Sequence, residues 1–282
     1  MTEIAPESDA CVRANIGAFL KDVGAGAVRD VRAAGMRRPS VTVVLPTRNE
    51  ARNLPHVAER MPPVDEIVVI DGGSSDGTAD VARELWPHAT VIEQTRKGKG
   101  NALACGFRAA TGDIIVMIDG DGSTDPAEIP RFVDALLGGA DLAKGTRFRG
   151  DGGSDDITSF RRIGNLGLNW LVNCIFGTEF SDLCYGYNAF WRRNLECLDL
   201  PATDLTAPQW GDGFEIETVI NVRAARSGWL IREVNSFEGR RIYGRSNLNA
   251  VTDGLRVLRT IRREQRKHRA AAPAVVGAGW SP

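Results

Sequence analysis

Ile114-Ile115-Val116-Met117-Ile118-Asp119-Gly120-Asp121 decides the fold. Five apolar residues with no polar alternation read as a strand buried on both faces. The strand then ends abruptly in two carboxylates one residue apart. Working outward, Val41 to Pro46, Ile67 to Asp71 and Ala89 to Ile92 have the same apolar, β-branched character, and Asp141 to Gly145 reads as a further strand. Helical segments are expected between them, over Ala51 to Arg60, Thr78 to Leu85, Gly100 to Ala110 and Pro126 to Leu137, with Pro126 in a first turn. Strands alternating with helices through short connections predict an α/β fold with a mostly parallel central sheet flanked by helices. Ligands of such sheets sit at the carboxyl ends of the strands. Three of those ends are acidic: Asn49-Glu50, Asp71 and Asp119/Asp121.

The second half is less regular. A helix is expected over Arg161 to Phe176, with Ile163, Leu166, Trp170 and Leu171 on its apolar side, and another over Phe214 to Ala225. Ile231 to Val234 reads as a short strand. From Leu248 onward, Val251, Leu255, Leu258 and Ile261 form one apolar stripe. The expected divisions are a leader with a short helix (1–39), a catalytic domain (40–239), a basic loop with an amphipathic helix (240–269) and a disordered tail (270–282).

The chain has 282 residues, with 35 Lys+Arg against 36 Asp+Glu. A net charge of -1 argues against general nucleic-acid binding. Residues 240–269 nevertheless hold nine Arg and one Lys against one Asp and one Glu. That helix has three readings: packing on the domain, seating on an anionic membrane, or, least favoured, nucleic-acid contact. Five scattered cysteines without a CxxC pair suggest thiols, not a disulfide frame, and three scattered histidines form no metal motif. Apolar runs are far short of the ~18 residues of a spanning helix, and the acidic N-terminus lacks a signal-peptide pattern. The expected compartment is the cytoplasm, with peripheral seating at the inner face of the membrane as an option.

Asp119-Gly120-Asp121 places two oxygen ligands where one Mg²⁺ or Mn²⁺ and its diphosphate can be held. An ordinary turn is the bland alternative. Asp71-Gly72-Gly73-Ser74-Ser75-Asp76-Gly77-Thr78 suits a ligand at Asp71 and a structural role at Asp76. It is neither a P-loop nor a GxGxxG fingerprint.

VTVVLPTRNEARNL, IVVIDGGSSDGT, KGKGNAL, GDIIVMIDGDGSTDP, KGTRF and SDLCYGYNAFWR, in that order, resemble a family 2 glycosyltransferase with the GT-A fold. The likeness spans Val41 to Arg263 and is nearest to the dolichol- or polyprenyl-phosphate mannosyl- and glucosyltransferases. It implies a metal-dependent, inverting transfer of a hexose from a UDP- or GDP-sugar, expected to go to a polyprenyl phosphate. A soluble acceptor of phosphoglycerate type, or sugar-nucleotide binding without catalysis, is the alternative.

By resemblance, Pro46, Asn49 and Glu50 hold the nucleoside, Asp71 meets the base, and Lys97, in its Gly98-Lys99-Gly100 setting, belongs to the basic loop under the nucleotide. Asp119 and Asp121 match the DxD pair for metal and diphosphate, with Ser123 where those enzymes often carry Gln. Arg147, and Arg161 or Arg162, match arginines that meet the acceptor phosphate. Asp182 matches an acid near the reacting sugar. Arg241 to Leu248 resembles a loop that closes over the diphosphate, with Asn247 in place of Lys. A hydroxyl acceptor needs a base, for which Asp182 comes first and Glu217 second. A phosphate acceptor is already anionic and needs orienting arginines instead. A sugar-phosphate nucleotidyltransferase is disfavoured, because the first strand lacks a Gly-rich basic signature.

Overall fold

The computed structural model describes residues 37–244 and 249–271. The expected leader helix, the 245–248 part of the basic loop and the tail beyond 271 lie outside the described residues. Strands β1 (Val41–Thr47), β2 (Glu66–Asp71), β3 (Thr90–Glu93) and β4 (Ile114–Met117) alternate with helices α1 (Leu54–Arg60), α2 (Thr78–Leu85) and α3 (Lys99–Ala109). A 3-10 turn at Pro126–Glu128 leads into α4 (Ile129–Leu137), followed by β5 (Leu142–Thr146) and β6 (Gly153–Ser154). Then come α5 (Ser159–Phe176), β7 (Asn188–Trp191), a 3-10 segment at Arg192–Leu198, α6 (Ile216–Arg226), β8 (Ile231–Asn235), β9 (Phe237–Glu238) and α7 (Ala250–Ala271).

The sheet runs β3-β2-β1-β4-β7-β5-β8. Every pairing is parallel except those of β7, which runs antiparallel to β4 and β5. Both faces are covered, which explains the continuous apolar runs. Val41, Val43 and Leu45 of β1 pack with α1 and α4 through Leu54, Val57, Phe132 and Leu136. Val44, on the opposite face, packs with Leu103 and Phe107 of α3 and Ile216 and Ile220 of α6. The small-residue character of α3 sets how closely it approaches the sheet. A Cβ at Gly106 would lie 2.5 Å from both Ile70 and Val44 side-chain carbons.

Strand β7 was not anticipated. It has only four residues, inside a stretch read as a motif rather than as an element. Two apolar stripes are also corrected. In α5, Ile163, Leu166 and Trp170 are exposed, while Asn165, Asn169 and Val172 are buried. The reason is hydrogen bonding to the 180–183 segment, through one carboxylate and two backbone groups. Asn165 Nδ2 donates to Asp182 Oδ1 (2.7 Å), Asn169 Oδ1 accepts from the Leu183 N–H (2.8 Å), and Asn173 Nδ2 donates to the Phe180 carbonyl (2.9 Å). Asparagines at i, i+4 and i+8 thus line one helix face and satisfy a 180–183 segment that has no strand partner.

In α7, Val257 and Ile261 are buried against Val172 and Leu183, while Val251, Leu255 and Leu258 face outward. The helix is therefore packed on α5 and α6 within the same body. Cys197 is disulfide-bonded, correcting the all-thiol expectation, whereas Cys105, Cys174 and Cys184 are free.

Glu264 anchors α7. Its carboxylate, with no exposed side-chain surface, meets Arg223 (2.9 Å) and Arg226 (2.7 Å) of α6. Burial alone would raise its pKa, but the hydrogen bond and charge of Arg223 hold it below the usual carboxylate value. Such a depressed group stabilises the fold above its unfolded pKa, and the contribution is lost as pH falls through the folded one. Glu264→Gln is expected to cost about 3 kcal/mol near neutrality. The gap to wild type should close as pH drops below the ordinary glutamate range. Urea midpoints across that range check it; a gap that stays constant in acid refutes the ion-pair account.

Candidate active site

The carboxyl ends of β1, β2 and β4 open into a cavity of about 1190 Å³, lined among others by Pro46, Lys97, Asp119, Asp121 and Glu217. Its floor is built from a tight backbone crossing. Arg96 makes paired contacts with Asp212, both at 2.8 Å, and the Gly100 N–H donates to the Asp212 carbonyl at 2.8 Å. A Cβ at Gly98, whose φ is +133°, would sit 2.0 Å from the Asp212 carbonyl oxygen, and one at Gly100 1.8 Å from that of Gly211. Gly100→Ala gains about 1 kcal/mol of helix propensity, but backbone must move to admit the methyl group. A net destabilisation of about 2 kcal/mol or more is expected, against a typical overpacking cost of about 1–3 kcal/mol. A lowered urea midpoint at unchanged slope checks it.

This crossing aims Lys99 inward at the start of α3. Its Nζ meets Asp119 Oδ1 at 2.6 Å and Glu217 Oε1 at 2.8 Å. Burial works against the ammonium, but the two carboxylates more than offset it and raise its pKa. Burial pushes Glu217 upward despite Lys99. Gly186 leaves the room this cluster needs, since a Cβ there would approach Lys99 Nζ to 2.9 Å.

Asp121 is held in a fixed orientation. Its Oδ1 accepts from the Ser123 N–H (3.0 Å) and Oγ (2.7 Å), and Oδ2 faces Arg241 at 3.2 Å. Burial and the neighbouring Asp119 charge raise its pKa. Ser123, which departs from the resembled pattern, thus serves as a cap for the second aspartate. Arg241 also pairs with Glu50, which burial pushes up. The 241–243 segment is docked on the start of α1: Tyr243 N–H donates to Asn53 Oδ1 (2.9 Å), and Arg52 lies 3.9 Å over the Tyr243 ring.

Glu50, Asp119, Asp121 and Glu217 therefore share the two cations Lys99 and Arg241 in these ion pairs. This surplus of hard carboxylate oxygens fits a divalent cation that completes its shell with diphosphate oxygens. Among the described residues no cluster of three acidic, His or Cys side chains forms a protein-only metal cage. The donor set thus fits a metal shared with substrate, for which Asp119 and Asp121 remain the candidates.

Asp71 lies beside a smaller cavity of about 310 Å³, which Lys97, Gln94 and Gly72 also line. Its Oδ2 accepts from the Gly73 (3.1 Å) and Ser74 (2.9 Å) N–H groups. Its Oδ1 is buried without a hydrogen-bond partner. That is an acceptor awaiting a donor, since an unpaired buried oxygen carries a desolvation cost.

Other candidates move. Asn49 adopts φ 57°, a left-handed conformation asparagine tolerates, and its Oδ1 accepts from Ser75 N–H at 2.9 Å. It ties two loops together and is absent from the lining of the main cavity. Arg147 lines the main cavity with its guanidinium paired to Asp182 (2.7 and 2.9 Å) and Glu238 (2.8 Å). Asp182 is fully buried behind it. Burial would raise its pKa, but Arg147 holds it low, which makes it a poor base. Arg161 reaches the cavity while paired with Asp156 at 3.1 Å; Arg162 is exposed over Phe148. Lys99, mentioned in sequence only as the setting of Lys97, is the charged hub. Arg240 and Arg256 also line the cavity and were not singled out. Position in a basic run was their only sequence signal.

No described helix is long and apolar enough to cross a membrane. The family model for glycosyl transferase family 2 matches residues 42–198. Glycosyltransferase AglJ of Haloferax volcanii is 33% identical over 219 residues, covering 76% of this chain and 68% of that protein. The uncharacterized glycosyltransferase Rv0539 of Mycobacterium tuberculosis is 33% identical over 219 residues, covering 78% and 94%. Among solved structures, glucosyl-3-phosphoglycerate synthase from M. tuberculosis, in complex with Mn²⁺, UDP-glucose and phosphoglyceric acid, superposes with TM-score 0.63 at 24% identity, covering 86% and 84%. That likeness establishes a shared GT-A-type architecture, with the acidic strand ends where such sheets bind ligands. Sheet, strand-end carboxylates and matched segment agree: the chain belongs to glycosyltransferase family 2 and is a transferase.

Proposed function

We propose that this chain transfers a hexose from a UDP- or GDP-sugar to a phosphorylated acceptor, with a divalent cation and with inversion at the anomeric carbon. The observation that carries it is the unpartnered buried Asp71 Oδ1 at the carboxyl end of β2, one strand (β1) away from the DxD end of β4. A uracil or guanine ring N–H supplies the donor that oxygen lacks. Pro46 and Gly72 line the space between, and Lys97 reaches the diphosphate from the exposed edge. Asp119 and Asp121 would hold Mg²⁺ or Mn²⁺, which when bound offsets the charge on the leaving diphosphate. Arg241, spanning Glu50 and Asp121, is placed to add its own charge to that stabilisation.

Glu217, kept in place by Lys99, faces the cavity and takes the role first assigned to Asp182. It orients sugar hydroxyls, or accepts a proton where the acceptor is a hydroxyl. On the acceptor side, Arg161, Arg240 and Arg256 are the lining arginines for a phosphate. In-line attack from that side gives inversion, which NMR of the product's anomeric proton checks.

Calorimetric titration of UDP, GDP and dTDP, with and without Mn²⁺, on wild type and Asp71→Ala is the direct test. Mn²⁺-dependent binding of UDP or GDP, weakened at least tenfold in the variant, is expected. Equal affinity in the variant overturns the base assignment. UDP-glucose with 3-phosphoglycerate, then with a polyprenyl phosphate, separates the soluble acceptor from the lipid one.

A further inference from the structure

We propose that the outward faces of α5 and α7 form one docking surface for an anionic lipid bilayer. Along α5, Phe160, Ile163 and Trp170 are 67%, 70% and 69% exposed, and Leu166 lies beside them. These side chains recur every three to four residues over a length of about 15 Å. They do not belong to the core, because the asparagine face of the helix is the one turned inward. On α7, Val251, Leu255 and Leu258 are exposed, and Arg262 and Arg266 continue that line at i+11 and i+15 from Val251.

The two helices pack through Val172, Val257 and Ile261. Their starts line the same cavity, through Phe160 and Arg161 on α5 and Ala250 and Thr252 on α7. The exposed apolar residues therefore flank the acceptor end of the cleft. Solvent-facing apolar side chains of this size, grouped and rimmed, mark an interaction surface.

Charge identifies the occupant. Helix α5 contains no acidic residue and carries Arg161 and Arg162. On α7, Arg256, Arg259, Arg262, Arg263, Arg266 and Lys267 are exposed. Of its two acids, Glu264 is buried in its ion pairs and Asp253 accepts from the Asn249 N–H at the helix start. A chain of net charge -1 thus concentrates positive charge around its exposed apolar stripes. A second copy on a two-fold axis would set this basic face against itself. An anionic bilayer complements both parts: basic heads meet lipid phosphates, and Trp170 and the aliphatic side chains enter the headgroup boundary. Docking would turn the cleft mouth toward the membrane. The surface stands whether or not the acceptor is a lipid.

The test is sedimentation of the full chain with phosphatidylcholine vesicles and with vesicles containing phosphatidylglycerol, at low and high salt. Wild type is expected to bind the anionic vesicles and to release in high salt. Ile163→Ser/Trp170→Ser and Arg262→Glu/Arg266→Glu should each bind at least tenfold more weakly, with unchanged melting temperature because those side chains are exposed. Nucleotide titration of the same variants should match wild type, so failure of the docking surface and failure of the donor site are separately visible. Absence of wild-type binding, or variants that bind equally, overturns the proposal. So does a wild-type dimer that Ile163→Ser/Trp170→Ser makes monomeric in analytical ultracentrifugation, which would assign the face to a second copy.

Discussion

Asp121→Asn is expected to lower transfer by about 10³-fold while leaving the fold intact. Asparagine keeps an oxygen that accepts from the Ser123 N–H and Oγ, so the loop geometry survives. What disappears is the negative charge on the oxygen that faces Arg241. A metal-held diphosphate depends on that charge for several kcal/mol of stabilisation, and each 1.36 kcal/mol is tenfold in rate. The free protein should become slightly more stable. Burial and the Asp119 carboxylate disfavour a charged Asp121, and the substitution relieves both. A higher melting temperature together with lost Mn²⁺-dependent nucleotide binding is the expected pair of results. Retained metal-dependent binding would remove Asp121 from the donor site. Ser123→Ala, which only loosens the carboxylate, should have a smaller effect of about tenfold in kcat.

Lys99→Met should damage both stability and activity. Methionine retains the apolar stem but leaves Asp119 and Glu217 facing each other without the ammonium. Removing one partner of a buried pair costs about 3–5 kcal/mol. The lower end applies here, because the Asp119 side chain is 32% exposed and water screens part of the repulsion. The double variant Lys99→Met/Glu217→Gln separates charge from packing. If Lys99 acts by balancing charge, the double variant should recover more than half of the lost stability in urea denaturation while transfer stays low. No recovery would mean that Lys99 matters through packing.

The first half of the molecule was legible to a residue or two at most helix and strand ends. Helix α2 begins and ends at the expected Thr78 and Leu85. Alternating βαβ units write their order directly into the chain, and a sheet covered on both faces leaves long apolar runs. Strand β7 escaped because Asn188-Ala189-Phe190-Trp191 has no β-branched residue, unlike the equally short β4. The stripe of α5 was inverted because hydrophobic spacing assumes that burial is driven by apolar area. Here Asn165 and Asn169 are needed inside, one for the Asp182 carboxylate and one, with the half-buried Asn173, for backbone without a strand partner.

By itself, the sequence determined the α/β class, the acidic strand ends and the family. Each rests on residues close together in the chain: an apolar run, the carboxylates that end it, the glycines that follow. Tertiary structure alone decided which charges meet. Lys99 joins Asp119 to Glu217 across 118 positions (99 to 217), and Arg241 joins Asp121 to Glu50 across 191. The same packing buries Asp182 behind the cleft and pairs it with Arg147, which stays in the cavity wall. Ion pairing falls off with distance in space and carries no spacing rule along the chain, so only the folded molecule could assign those partners.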